Sequence, residues 1–270
     1  MPKIAAAQMV SSSSVNKNLE QVEGFFIEAK ERQVDLLVLP ENFAFMGIEE
    51  KDKLQIAEKY LAGEIQDKIS LFARLYDLWV IAGTLPLQGF NNRVRASCLV
   101  IDNKGLAVAR YDKIHLFDVL VSAEERYEES ATVERGEELV VVDTPIGKVG
   151  LTVCYDLRFP ELYRQLVQRG AELLTVPSAF TAVTGSAHWE SLLRARAIEN
   201  LAYVVAPNQG GLHENGRQTY GHSMIVEPWG KVLASCEAGV DMIFADIDLQ
   251  ELRQLRLKFP TNEHHVLIDK

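Results

Sequence analysis

The chain has 270 residues, 47% of them hydrophobic and 24% charged, which are ordinary globular values for a chain long enough to bury a sizeable core. A net charge of −10 argues against nucleic acid or an anionic membrane as the main partner, because both call for a basic face. Cys98, Cys154 and Cys236 are odd in number and widely spaced, which excludes a disulfide framework and a C-x-x-C site and points to a reducing cytosol.

The elements read as follows in chain order. KIAAAQMV is a strand, its apolar run too short for a signal segment. Val15, Leu19, Val22, Phe26 and Ala29 recur at spacings of four and three, which predicts an amphipathic helix, and the serine run before it sits where a cap is wanted. DLLVLPEN is a buried strand closed by Pro40, Ile65 to Leu75 a helix, and LWVIAGTLP the next strand. VRASCLVIDNKGLAVARYDK and ELVVVDTPIGKVGLTVC are hairpins turning at Asp-Asn-Lys-Gly and Thr-Pro-Ile-Gly. A helix from about Pro160 to Gln168, the strand ELLTVPSAF, a helix from about His188 to Asn200 and the strand LAYVVAPN follow. The hairpin GHSMIVEPWGKVLASC, the strand MIFADIDL and a helix around Leu249 to Leu257 complete the pattern. No run approaches the ~20 apolar residues of a membrane span. The mixture predicts an α/β protein with one or two mixed sheets covered by helices, in a single domain over residues 1–270, since no linker divides the chain.

Ligands of open α/β sheets gather outside the C-terminal ends of the strands. There stand Glu41 after LLVLP, Lys113 after AVARYD, Cys154 after GLTV and Ser178-Ala179-Phe180 after LLTVP. Each of the three reactive groups has a plain structural alternative: a loop acid, a surface lysine, a thiol used as a small core residue. Lys113, however, is flanked by Tyr111, Ile114, Leu116 and Phe117, which predicts burial and hence a charged partner. Cys154 ends a β-branched run just before a helix start, where a thiol faces a crevice rather than a core.

LPEN around Glu41, YDKIHLFD around Lys113 and VCYDLRFPELYR around Cys154 resemble the three signature segments of the nitrilase superfamily, the carbon–nitrogen hydrolases. The likeness runs in order over essentially the whole chain, and PSAFTAVTGSAHWESLLRARAIEN and YGHSMIVEPWG resemble its Nit branch. The resemblance implies a four-layer αββα sandwich that forms homodimers or larger assemblies, and a small amide as substrate, with no metal and no organic cofactor. It implies a Glu41-Lys113-Cys154 triad and a second glutamate at Glu129, with Glu128 as the other register.

The chemistry needs these groups. A cysteine with a pKa near ~8.5 is mostly protonated at neutral pH, and an amide is a poor electrophile, so the thiol requires a base within hydrogen-bond reach. Glu41 is assigned that proton, Lys113 and the backbone N–H of Tyr155 the oxyanion, and Glu129 the positioning of Lys113. Burial would raise the Glu41 pKa and Lys113 would lower it, which leaves the balance open. Arg158 is a candidate for gripping a substrate carboxylate, or for an ion pair with Asp156 or Glu161. Phe45 and Tyr155 are expected to line the pocket, with Thr181, Thr184 and His188 shaping its wall.

Three rival readings remain. A Cys-His hydrolase would use His115, His188 or His222, but no papain-type segment surrounds Cys154. A metal hydrolase lacks its H-E-x-x-H motif. A non-catalytic binding protein on the same fold is disfavoured by retention of the triad. Within the amidase reading the two Nit activities share an acyl half and differ in the leaving half, Cys-Gly for deaminated glutathione and ammonia for the ω-amidase substrate 2-oxoglutaramate. Deaminated glutathione is the expected substrate. The tail from about residue 259 to 270, with Phe-Pro and Val-Leu-Ile, is expected to pack on a partner subunit.

Overall fold

The computed structural model describes residues 1–121, 125–264 and 266. Its first half contains β1 (Lys3–Gln8), α1 (Val15–Glu31), β2 (Leu36–Val38), α2 (Glu64–Tyr76), β3 (Trp79–Gln88), β4 (Val94–Ile101) and β5 (Ala107–Asp112). A short hairpin of β6 (Asp118–Leu120) and β7 (Arg126–Glu128) follows. The second half contains β8 (Val141–Thr144), β9 (Gly147–Leu151), α3 (Pro160–Gln168), β10 (Leu173–Thr175), α4 (Ala182–Asn200) and β11 (Tyr203–Ala206). It closes with β12 (Met224–Val226), β13 (Val232–Ser235), β14 (Asp241–Asp246) and α5 (Leu249–Lys258).

Two six-stranded mixed sheets result, ordered β14-β1-β2-β3-β4-β5 and β13-β12-β11-β10-β9-β8. Read from β14 and from β8, both run antiparallel, parallel, parallel, antiparallel, antiparallel. The halves of the chain thus repeat one architecture, although the sequence shows only a similar use of strand ends. The alternation within β1 separates two cores. Ile4 and Ala6 face the second sheet in a cluster with Leu36, Val38, Leu151 and Val205, whereas Ala5 and Ala7 face α1 and α2 through Val22, Phe26 and Ile69. On the far side of the second sheet, Leu166 of α3 and Trp189 and Leu193 of α4 join the same cluster. The layers are therefore α, β, β, α, as the family resemblance implied.

The periodic helices and the three predicted hairpins are present. Ser14 caps α1 by accepting from the Lys17 N–H. Sequence reading started α4 six residues late: its true cap is Thr181, whose hydroxyl accepts from the Thr184 N–H at 3.2 Å, and Gly185 in its first turn obscured the helical pattern. That glycine is needed, because a Cβ there would come within 2.3 Å of the Tyr220 side chain. The β6–β7 hairpin was not foreseen, being too short for a period-2 signal. Of the tail expected on a partner, Phe259 lies edge-on to Trp229 and Asn262 donates to the Asn200 carbonyl at 2.9 Å, while residues 265 and 267–270 lie outside the described residues. No helix among the described residues is long and apolar enough to cross a membrane.

One fold detail aims the site. The β3–β4 register shifts between Ala82 and Leu85, and at Gly83 (φ +20°) the chain passes so close to the loop after β2 that a Cβ would lie 1.8 Å from the Pro40 carbonyl oxygen. The next residue, Thr84, accepts the Asn42 N–H at 2.9 Å, so the bulge holds the loop carrying Glu41. Gly83→Ala is expected to destabilise the fold by about 1–3 kcal/mol or more, read by urea denaturation, because backbone rather than a mobile side chain must give way.

Candidate active site

Glu41 follows β2, Lys113 follows β5 and Cys154 follows β9, so the first sheet supplies acid and amine and the second supplies sulfur. All three are buried, at 4%, 2% and 7% exposure, and line one cavity. Lys113 Nζ donates to Glu41 Oε1 at 2.8 Å and to Glu129 Oε1 and Oε2 at 3.1 and 2.9 Å. Of the two expected registers it is Glu129 that contacts Lys113, while the exposed Glu128 pairs with Arg126. Glu129 also accepts the Phe117 N–H at 2.7 Å. The second oxygen of Glu41 accepts the Ala179 N–H at 2.8 Å, and Gln209 Nε2 donates to the Glu41 carbonyl at 2.9 Å, which fixes backbone and side chain together.

Cys154 opens a short 3₁₀ turn, Cys154–Arg158, with φ +48°, a conformation that costs a non-glycine residue about 1–2 kcal/mol. The turn is held from below. Its Cys154 N–H donates to the Pro177 carbonyl at 2.9 Å, and the fully buried Asp156 accepts from Val153 N at 2.8 Å, His115 N at 3.0 Å and the Tyr111 hydroxyl at 2.7 Å. The N–H of Tyr155, in the first turn of a helical segment, is one of the donors such a segment leaves without an internal acceptor.

The proton distribution follows from this packing. Burial alone would push the Glu41 carboxyl up, but the charge and hydrogen bond of Lys113, with a hydrogen bond from Cys154, hold it below its ordinary 4.5. That settles the balance left open by sequence. Burial would push the Lys113 amine down, and the charges of Glu129 and Glu41 instead hold it well above 10.5. Burial raises the Cys154 thiol, and the Glu41 charge raises it further against the pull of Lys113. At neutral pH the proton thus sits on sulfur, beside a carboxylate able to take it.

The other expected residues divide. Phe45, Tyr155, Arg158, Thr181 and Thr184 line the cavity, although Thr181 and Thr184 also bond each other at 2.9 Å as the cap of α4. His188 does not line it, because on the second turn of α4 its ring turns to Arg158, with Nδ1 3.3 Å from Nη1. Arg158 pairs with neither Asp156 nor Glu161; its guanidinium carbon stands over Phe180 and Tyr155, 5.4 and 5.9 Å from the ring centroids. Among the described residues no lining residue is a histidine: His115 bonds Asp156 at 2.7 Å and His222 stacks on Tyr220. Sequence reading missed Arg217, Tyr127 and Phe117 as lining residues, the first because its loop carries no periodicity. Among the described residues no group of three His, Cys, Asp or Glu side chains could hold a metal ion.

A family model described as carbon-nitrogen hydrolase matches residues 3–257. The nitrilase and fragile histidine triad fusion protein NitFhit of Caenorhabditis elegans is 43% identical over 264 residues, which are 97% of this chain and 60% of the fusion protein. This chain thus spans about 60% of that relative's length. Its crystal structure superposes with a TM-score of 0.92 at 42% identity, covering 98% of this chain and 65% of that one. A deaminated glutathione amidase of Synechocystis sp. (strain PCC 6803 / GT-S) is 41% identical over 272 residues, 99% of each chain. An amidase from Nesterenkonia sp. AN1, solved as a Glu-to-Gln mutant showing Michael addition of acrylamide at its active site cysteine, is 25% identical with a TM-score of 0.81, covering 97% of this chain and 100% of that one.

The buried cluster sets a pH window for stability. The Glu41 carboxyl is lowered on folding, so its contribution is present above 4.5 and lost as pH falls through the folded value. The Lys113 amine is raised, so its contribution is present below 10.5 and lost as pH rises through the folded value. Urea melts should show both losses in the wild type, and Lys113→Met should cost about 3–5 kcal/mol at neutral pH by stranding two carboxylates.

Proposed function

The chain belongs to the carbon–nitrogen hydrolase family, and we propose that it is an amidase hydrolysing deaminated glutathione to 2-oxoglutarate and Cys-Gly through a thioester on Cys154. The observation that carries the mechanism is the Lys113 ammonium held 2.8 Å from Glu41 inside the cavity that also exposes the Cys154 thiol. Support for the substrate comes from the Synechocystis relative, which matches end to end.

Glu41 takes the thiol proton as sulfur bonds to the carbonyl carbon and the carbonyl π pair moves onto oxygen. The oxyanion is stabilised by Lys113 and the Tyr155 N–H, each such donor being worth about 10²–10³ in rate. As the tetrahedral adduct collapses, the C–N bond breaks and Glu41 gives its proton to the departing nitrogen. A water enters in place of Cys-Gly, loses a proton to Glu41 and attacks the thioester; the C–S bond breaks and the proton returns to sulfur. The reaction begins with a neutral thiol, in keeping with a carboxylate held below and a thiol held above their ordinary pKa values. A histidine base finds no place among the described residues that line the cavity.

The three cysteines are unpaired, which fits a cytosolic enzyme. The exposed Trp229, Leu257, Phe259 and Ile198 near the C-terminal helix fit a homodimer in which the tail meets a second copy.

Glu41→Gln should lower kcat/KM by about 10²–10⁴-fold while retaining the fold, and unimpaired turnover would sink the mechanism. Wild-type kcat/KM should be higher for deaminated glutathione than for 2-oxoglutaramate; the reverse order would make the enzyme an ω-amidase. Light scattering should give twice the 30.3 kDa chain mass or a multiple of it, and a monomer would refute the assembly.

A further inference from the structure

Five carboxylates line the cavity, and every one has a cation. Glu41 and Glu129 share Lys113, Glu50 meets Lys53 at 2.6 Å, Glu49 meets Lys51 at 2.7 Å, and Glu128 lies 3.5 Å from Arg126. The lining cations do not all balance. Arg158 and Arg217 have no carboxylate partner among the described residues. Arg217 is the less satisfied of the two. Its Nη2 donates to the Ala179 carbonyl, its guanidinium carbon stands 5.0 Å from the Tyr127 ring centroid, and its Nε is shut off from solvent with no hydrogen-bond partner. The loop presenting it is braced, with the Arg217 N–H on Asn215 Oδ1 at 2.9 Å and Asn215 Nδ2 on the Gly47 carbonyl at 2.9 Å.

The two arginines lie at opposite ends of a row of rings. Arg217 is on Tyr127, Tyr127 is 5.0 Å from Phe117, Phe117 is 5.1 Å from Tyr155, and Arg158 is on Tyr155. A guanidinium that lies against a ring and has N–H groups left without an acceptor is well suited to a carboxylate, which accepts two parallel N–H bonds. The sides can also be told apart. Arg217 is tied to Glu41 through one residue, because the Ala179 carbonyl accepts from Arg217 while the Ala179 N–H donates to Glu41 at 2.8 Å. In the proposed reaction Glu41 protonates the departing nitrogen, which favours the Arg217 side for the departing half and leaves the Arg158 side for the acyl half.

We infer that Arg217 binds the carboxylate of the leaving half, which makes the enzyme selective for amides carrying a carboxylate on each side of the scissile C–N bond. The inference rests on the proposed amidase reading and sharpens it: an ammonia-releasing amide leaves this arginine unused, whereas Cys-Gly ends in the group it would bind. Arg217 acts on specificity, with no part in proton transfer.

The test compares deaminated glutathione with its C-terminal carboxamide, which removes only the distal charge, as paired substrates for wild-type enzyme, Arg217→Gln and Arg217→Lys. Wild-type kcat/KM should favour the free acid by about 10–100-fold, the range expected for one charge-assisted hydrogen-bonded pair. That ratio should fall to near one in Arg217→Gln and be partly retained in Arg217→Lys. A merely structural arginine would lower both substrates together and leave the ratio as it was; a ratio unchanged in Arg217→Gln, or already near one in the wild type, overturns the inference alone. Wild-type enzyme inactive on deaminated glutathione but active on 2-oxoglutaramate overturns the substrate reading and the inference with it.

Discussion

The structure depends on one buried cation. Lys113 is 2% exposed, and an ammonium so deep would cost several kcal/mol if it stood alone. Glu41 and Glu129 offset that cost with three contacts of 2.8–3.1 Å. The group of two carboxylates and one amine keeps an excess of one negative charge; burial first, and then the Glu41 charge, keep the proton on the adjoining thiol. In the proposed reaction that charge is moved rather than created. It passes from the Glu41 carboxylate to sulfur and then to the carbonyl oxygen, always close to the same ammonium, so no step asks the buried site to bear a new unpaired charge.

Holding the cluster in place falls to groups outside the cavity lining. Asp156 joins the two sheets, since it accepts from Tyr111 of β5 and from Val153 just past β9, while it pins the turn that carries Cys154 in a left-handed conformation. Gln209, after β11, reaches across to the Glu41 carbonyl. Each links one half of the repeated architecture to the other. The geometry of sulfur against carboxylate is therefore a property of how the sheets face each other, and small errors in their stacking would be felt directly at the site.

The cavity separates two kinds of selectivity. In the proposed reaction the Glu41-Lys113-Cys154 group acts on the scissile carbonyl, whereas the surrounding charges select among amides. Because each lining carboxylate already meets a lysine or arginine, with Lys113 shared between two of them, Arg158 and Arg217 are the lining cations left to meet a substrate anion. An acidic protein with a net charge of −10 can for this reason still take an anionic substrate.

Much of this was legible along the chain. Period-2 and period-3.6 patterns marked the main strands and helices because each has one face to bury. Turn chemistry marked the hairpins. Glu41, Lys113 and Cys154 stood out because a charged or reactive group at a strand end is an exception to local pattern. Other features left no such mark. The late reading of α4 arose because glycine and threonine in its first turn are tolerated only through the Thr181 cap and the fit against Tyr220. His188 sat beside true lining residues in sequence, but the helical rotation of α4 carries it to Arg158.

By itself the sequence determined which chemical groups are available, the strand ends they occupy and the mixture of strands and helices, since those follow from local propensity and from the period of apolar residues. The four layers were implied by the family resemblance. Only the tertiary structure decided which way the Glu41 proton balance falls, which glutamate holds Lys113 and that Arg217 enters the site. Those depend on distances of about 3 Å between residues tens to more than a hundred positions apart, and on how much water their packing excludes, and neither is written in any local pattern.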